Sequence, residues 1–516
     1  MLAFILALSR APAVSAIENP VRTESGLIAG TVGEVSVFKG IPYAMPPIAE
    51  LRWKPPQPLR PWAGLREAKE FGSQCVYRGP GAFAGPGGED CLTLNVWTPA
   101  KRPGERLPVM VWIHGGGFQF GSGRWPAFDG TGLGRLGVVL VTLNYRLNVF
   151  GFFSHPDLAK ESPEGVSGNY GLLDQIAALK WVKNNIARFG GDGNKVTVFG
   201  ESAGGSSVAF LMISPLAKGL FHRAIISSGN IPSCTPHMRQ ARYGIQPAEN
   251  LGSKHGSEIA TLRAKTVQEV LALAKPAAGT DIFSLTRDYW PVVDGWVVPA
   301  DPAEMFAAGR FHRVPLLVGT CANEGGFFAA LSRKTEVADY EKWVNASFLN
   351  YAPEVFQRYP TTAGKEIRFL AGEVFGASQF YSAARTVART VSSRDVKTWM
   401  FHFTRVNPHA PFANLGAVHG RDIGYVFGNP GAGLGTAVLK FEPKDQQIAD
   451  AVSSTWARFA ATGDPNGPLV PKWPEYRQDS EQHMEFGDTI QTGSRLFGAE
   501  LDFWAKVWEG IRKSGR

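Results

Sequence analysis

The stretch Val196-Thr197-Val198-Phe199-Gly200-Glu201-Ser202-Ala203-Gly204-Gly205-Ser206-Ser207-Val208-Ala209 decides the fold. Its first four residues are β-forming and largely apolar. Its last residues are small and can start a helix. A serine flanked by glycines at a strand-to-helix turn reads as a nucleophile elbow, G-x-S-x-G. Such a turn strains the serine and exposes its hydroxyl above the sheet. The glycines let strand and helix approach without a Cβ clash. Ordinary turns match the same five-residue pattern, so its meaning depends on its surroundings.

Working outward, apolar β-type runs recur at Val109–Ile113, Val138–Val141, Ala224–Ile226, Pro315–Val318 and Thr398–Phe401. Continuous apolar runs, rather than strict alternation, indicate strands buried on both faces. Leu173, Ile176, Ala177, Leu179, Trp181 and Val182 form a helical pattern between two of these runs. The expectation is an open, mostly parallel α/β sheet flanked by helices. Residues 232–311 and 335–391 break the alternation and read as mainly helical insertions. They are expected above the strand ends, as a cap and pocket walls. Stripes at Ile448, Val452, Trp456 and Phe459, and at Leu501 to Ile511, read as core packing. No repeat or linker divides residues 17–516 into separate domains.

The chain has 516 residues, 44% of them hydrophobic and 19% charged, enough for a large core. The formal net charge is +8, but the basic residues are scattered. Nucleic-acid binding is therefore not indicated. Residues 1–16 resemble a secretory signal: a short apolar run, then small residues ending at Ala16. A basic start is missing and Arg10 interrupts the run. The run is too short to span a bilayer, and no other segment is apolar enough to do so. The expected location is secreted or periplasmic, or cytoplasmic if the segment is not a working signal. The expected assembly is a monomer or weak homo-oligomer. Cys75 and Cys91 bracket a Gly/Pro-rich loop. A disulfide there suits an exported protein and would contribute about 3 kcal/mol in the chain-entropy model. Two buried free thiols are the cytosolic alternative. No cysteine or histidine spacing suggests a metal.

A serine hydroxyl attacks an acyl carbon at neutral pH only with a base, an orienting acid and oxyanion donors. These parts are sought at the strand C-terminal ends, where sites in open α/β sheets form. His114-Gly115-Gly116-Gly117 directly follows one strand and has the position of an HGGG loop. The N–H groups of Gly116, Gly117 and Ala203 are the candidate donors. Losing one such donor typically costs about 3 kcal/mol of transition-state stabilisation. Glu324 lies just past the strand Pro315–Val318, beside Gly325 and Gly326, and is the candidate acid. The order Ser, acid, His requires a histidine after Glu324. His402, His409, His419 and His483 qualify. His402 reads as a packed strand residue and His483 lies in a polar stretch near the end. His409 and His419 are not separable on the residues alone.

From about Val21 to Trp508 the chain resembles the type-B carboxylesterase/lipase family, α/β-hydrolases that include cholinesterases and p-nitrobenzyl esterases. The resemblance is carried by Phe38-Lys39-Gly40-Ile41-Pro42-Tyr43-Ala44, Glu89-Asp90-Cys91-Leu92-Thr93-Leu94-Asn95-Val96, Asn144-Tyr145-Arg146, Gly168-Asn169-Tyr170-Gly171 through Gln175, and Phe189-Gly190-Gly191-Asp192 leading into the elbow. It implies the α/β-hydrolase fold and a serine carboxylesterase with the triad Ser202, Glu324 and His419. The base is chosen because the family's His-Gly before a Phe-Gly matches His419-Gly420 up to Phe427-Gly428. The resemblance also implies the Cys75–Cys91 disulfide, the buried pairs Arg52–Glu89 and Arg146–Asp174, and Ser228 as a hydrogen-bonding residue beside the triad. No cofactor or metal is required; the partner is a small-molecule ester.

Two departures narrow the expectation. Lipases of this family carry a long amphipathic lid in the first disulfide loop. Here the loop has only Val76, Tyr77 and Phe83 as large apolar or aromatic residues, which argues against a lipase. Cholinesterases carry a tryptophan there that holds quaternary ammonium by cation–π contact. None lies between Cys75 and Cys91. Phe118, Phe327 and Phe328 are the candidate pocket aromatics, with packing beneath the glycine loop as their alternative role. A non-catalytic adhesion-type relative is the other alternative, but such relatives typically lose the serine.

Overall fold

A computed structural model describes residues 17–77, 87–230, 258–274, 283, 289–333, 335–432 and 438–513. The expected signal segment, Phe83 and Cys234 lie outside the described residues. The centre of the molecule is a ten-stranded sheet. In chain order its strands are β1 (Ser36–Pro42), β2 (Thr93–Thr98), β3 (Leu107–Ile113), β4 (Val139–Leu143), β5 (Gly191–Glu201), β6 (Arg223–Ser227), β7 (Leu316–Cys321), β8 (Thr398–Phe403), β9 (Gln482–Phe486) and β10 (Ile490–Ser494). Their spatial order is β10-β9-β8-β7-β6-β5-β3-β4-β2-β1.

The strands from β4 across to β9 run parallel. Antiparallel pairs occur only at the margins, at β1–β2, β2–β4 and β9–β10. Every strand expected from an apolar run lies in the parallel part. Their residues are buried on both faces, as in β4 and β7, where no position is exposed. Strands β1, β2, β9 and β10 have no unbroken apolar run and were not anticipated, because Lys39, Gly40, Asn95, Glu485 and Gln491 interrupt them.

Helices cover both faces. Helix α1 (Tyr170–Asn185) and α2 (Ala203–Ile213) lie in the core with nearly all their residues buried. Helix α3 (Glu324–Leu331) is followed, after two helices at Val337–Phe348 and Ala352–Arg358, by α4 (Ile367–Gly376), a π-helical turn at Ala377–Tyr381, and α5 (Ser382–Ser392). The described part of the first insertion holds short helices at Glu258–Ala264, Val267–Leu273 and Pro302–Ala307. Helix α6 (Pro443–Thr462) and α7 (Gly498–Lys513) bury the two C-terminal stripes. Among the described residues no helix is long and apolar enough to cross a membrane.

Three covalent or ionic clamps brace the N-terminal half. Cys75 and Cys91 form a disulfide. Arg52 donates from Nε and Nη2 to the two Glu89 carboxylate oxygens, at 2.7 and 2.5 Å. Arg146 pairs with Asp174 in the same way at 2.8 and 2.7 Å, fully buried. Two-pronged geometry leaves few donors unmet, which is what a buried ion pair requires.

Candidate active site

Strand β5 ends at Glu201 and α2 begins at Ala203, so Ser202 is the whole turn. Its backbone sits at φ 57°, ψ −124°, a conformation that L-residues rarely adopt. The flanking space is as tight as the motif implies. A Cβ on Gly204 would lie 2.0 Å from the Ile113 carbonyl oxygen. The turn is held by Ser202 N–H donating to Ser227 O at 3.0 Å.

The glycine loop lies against this elbow. A Cβ on Gly115 would fall 3.0 Å from Ser202 Cβ. Gly116 and Gly117 have φ of 109° and 60°. The loop is pinned from both ends. Tyr145 Oη donates to His114 O at 2.9 Å, and Trp290 Nε1 donates to Gly117 O at 2.9 Å. The His114 ring stacks on Tyr145, and burial lowers its pKa to about 4. A neutral ring whose Nδ1 lies 2.8 Å from Gly115 O must carry its proton on that nitrogen. Phe118 is fully buried, with its ring edge-on to Phe152 and Trp290.

Glu324 opens α3 just beyond β7 and is fully buried. Its Oε1 accepts from Ser228 Oγ at 2.6 Å and from Cys321 N–H at 2.7 Å. Its Oε2 accepts from His419 Nδ1 at 2.5 Å. This geometry separates the four histidines. His409 is exposed, and His402 and His483 pack near each other at 6.3 Å. Only His419 reaches the acid. Its Nε2 is buried and has no hydrogen-bond partner. Phe328, Phe380 and Phe327 stand around its ring at 5.0, 4.6 and 6.4 Å.

Glu201 is the main electrostatic feature that sequence reasoning passed over. Its Oε1 lies 3.1 Å from His419 Nε2 but outside hydrogen-bonding geometry. Burial, helped by Asp422 and Glu324, raises its pKa to about 8, against the pull of His419. Burial opposes the His419 imidazolium, but Glu201, Glu324 and Asp422 outweigh it and raise the pKa to about 9. The two groups are coupled: an ionised Glu201 favours the imidazolium, and protonating the buried Glu201 removes that part of its support, while Glu324 and Asp422 continue to favour it. The only sign of this in the chain was an acidic residue inside the elbow motif itself. Phe380, Tyr381 and Trp290 were also missed; nothing local marks them.

The profile of the Carboxylesterase family matches residues 18–504. The chain belongs to that family. The fumonisin B1 esterase of Sphingopyxis macrogoltabida is 37% identical over 96% of this chain and 91% of its own. Mouse carboxylesterase 1D is 34% identical over 97% and 94%. Among solved structures, a PNB esterase is 32% identical with a TM-score of 0.83, covering 94% of this chain and 99% of its own. A carboxylesterase of Geobacillus stearothermophilus is 32% identical with a TM-score of 0.80, covering 95% and 100%. This carboxylesterase therefore has the α/β-hydrolase fold and is a carboxylic ester hydrolase.

Proposed function

We propose that this carboxylesterase cleaves small-molecule esters through an acyl-enzyme on Ser202, with His419 as base and Glu324 as its orienting acid. The observation that carries the reading is His419 itself. Its Nδ1 is tied to Glu324 Oε2 at 2.5 Å, while its buried Nε2 makes no hydrogen bond and faces Glu201 Oε1 at 3.1 Å. That bond fixes the tautomer with the free lone pair on Nε2. Nε2 takes the Ser202 proton as Oγ attacks the carbonyl carbon. It then passes the proton to the leaving alcohol as the C–O bond breaks. Water repeats the sequence and releases the acid. The N–H groups of Gly116, Gly117 and Ala203 hold the oxyanion in both halves. The Cys75–Cys91 disulfide supports a secreted or periplasmic location.

The test is hydrolysis of short p-nitrophenyl esters by wild type, Ser202→Ala and His419→Gln. Each substitution should cut kcat by on the order of a thousand-fold or more. Comparable activity in all three proteins would defeat the assignment. The substrate panel should vary acyl and alcohol groups separately and include fumonisin B1, named in a relative. A rate jump above the solubility limit would point to a lipase instead.

A further inference from the structure

The corner that carries Glu324 is gripped from two sides. Asn323 N–H donates to Ala417 O at 2.9 Å and Asn323 Nδ2 donates to Leu415 O at 2.7 Å, stitching it to the loop that leads to His419. On the other side, Tyr381 Oη donates to Ala322 O at 2.7 Å and accepts from Glu324 N–H at 3.1 Å. That N–H opens α3 and has no partner within the helix. The preceding residue, Phe380, places its ring 4.6 Å from His419 and stacks on Phe328. Consecutive residues thus touch the acid's backbone and the base's ring.

Both belong to the π-helical turn Ala377–Tyr381. Such turns are rare single insertions, frequently found at functional sites. This one is rigidly seated. Helix α4 ahead of it presses on α3 so closely that a Cβ on Gly325 would lie 1.8 Å from Gly372 O. Behind it, Trp508 Nε1 of α7 donates to Ser378 O at 2.9 Å.

We propose that this π-helical turn positions the acid–base pair, Tyr381 by clamping the Glu324 corner and Phe380 by holding the His419 ring. The proposal rests on the assignment of Glu324 and His419 above. Tyr381 is a positioning residue: it acts through Glu324 and touches no reacting atom. Simple packing does not account for it, because a phenylalanine would fill the same space. The hydroxyl is what spans residues 322 and 324. Burial raises its pKa well above the usual phenol value, so it remains a donor across the working pH range.

The discriminating variant is Tyr381→Phe. The expected result is a kcat lowered about three- to ten-fold with KM roughly unchanged, the loss of the two positioning hydrogen bonds that the hydroxyl makes. The acid limb of the pH profile should move, and the proton resonance of the His419–Glu324 hydrogen bond should shift. In a Glu324→Gln background the same substitution should add nothing, because its effect passes through that carboxylate. A wild-type kcat, pH profile and resonance in Tyr381→Phe would overturn the proposal, as would a full additive loss in the Glu324→Gln background. If Tyr381→Phe does not fold, Phe380→Leu decides through the same resonance and pH limb: a shift supports the proposal and no shift overturns it. Activity retained by Ser202→Ala would instead defeat the reaction assignment, so the two failures are distinguishable.

Discussion

Glu201 Oε1 lies 3.1 Å from His419 Nε2, on the side of the ring facing away from Glu324. When ionised, Glu201 favours the imidazolium, and an imidazolium cannot take the Ser202 proton. Glu201→Gln removes that charge while keeping the shape. The acid limb of kcat/KM should then move to lower pH, by about one unit or more for the loss of so close a partner. A pH–rate series on wild type and variant checks this. A limb that stays in place or moves upward contradicts it.

Ser228 Oγ donates to Glu324 Oε1 at 2.6 Å, on the oxygen not used by His419. Ser228→Ala leaves that oxygen with the Cys321 N–H as its remaining donor. The carboxylate is then held less firmly against the base. We expect kcat to fall about three- to ten-fold with little change in KM, the worth of one charge-assisted hydrogen bond. Steady-state kinetics on a short ester measure it. A raised KM at constant kcat would mean that Ser228 serves binding instead.

Gly325 allows α3 and α4 to meet backbone to backbone. Gly325→Ala must separate the helices at the residue next to the acid. Overpacking of this kind typically costs about 1–3 kcal/mol. The denaturation midpoint should drop, and activity should drop further than the folded fraction explains, because Glu324 moves with the helix. Normal activity per folded molecule would show that the corner tolerates the shift.

His402 and His483 couple stability, rather than catalysis, to pH. Burial, and then repulsion from His483, lowers the His402 pKa from 6.5 to about 4, and burial lowers that of His483 as well. The unfolded chain binds these protons more readily than the folded one. Their contribution is therefore intact above about pH 6.5 and is lost as pH falls toward the folded pKa near 4. For His402 alone the loss is on the order of 3 kcal/mol. Melting temperature should decline over that window, and His402→Gln should make the decline shallower. An equal decline in both proteins would place the acid lability elsewhere.

Much of the central sheet was legible because six of its parallel strands carry unbroken apolar runs, as strands buried on both faces require; the seventh, Gln482–Phe486, has no such run. Val139–Leu143 and Leu316–Cys321 satisfy that locally. The elbow was legible because Gly204 has no room for a side chain beneath Ile113. The acid was suggested by its place after a strand. The base was not, since His409 and His419 lie in one loop and differ only in what they reach. Only the family resemblance favoured His419.

By itself, then, the sequence determined the local devices: buried strands, a strained serine turn and a glycine loop, each imposed by backbone sterics among neighbouring residues. Tertiary structure decided the partnerships. His419 meets Glu324 across 95 residues of chain, and Tyr381 meets Glu324 across 57. Glu201 gains its raised pKa from burial and from Asp422 and Glu324, distant in the chain. Such contacts depend on how helices and loops dock above the sheet, and no short-range pattern of residues encodes that docking.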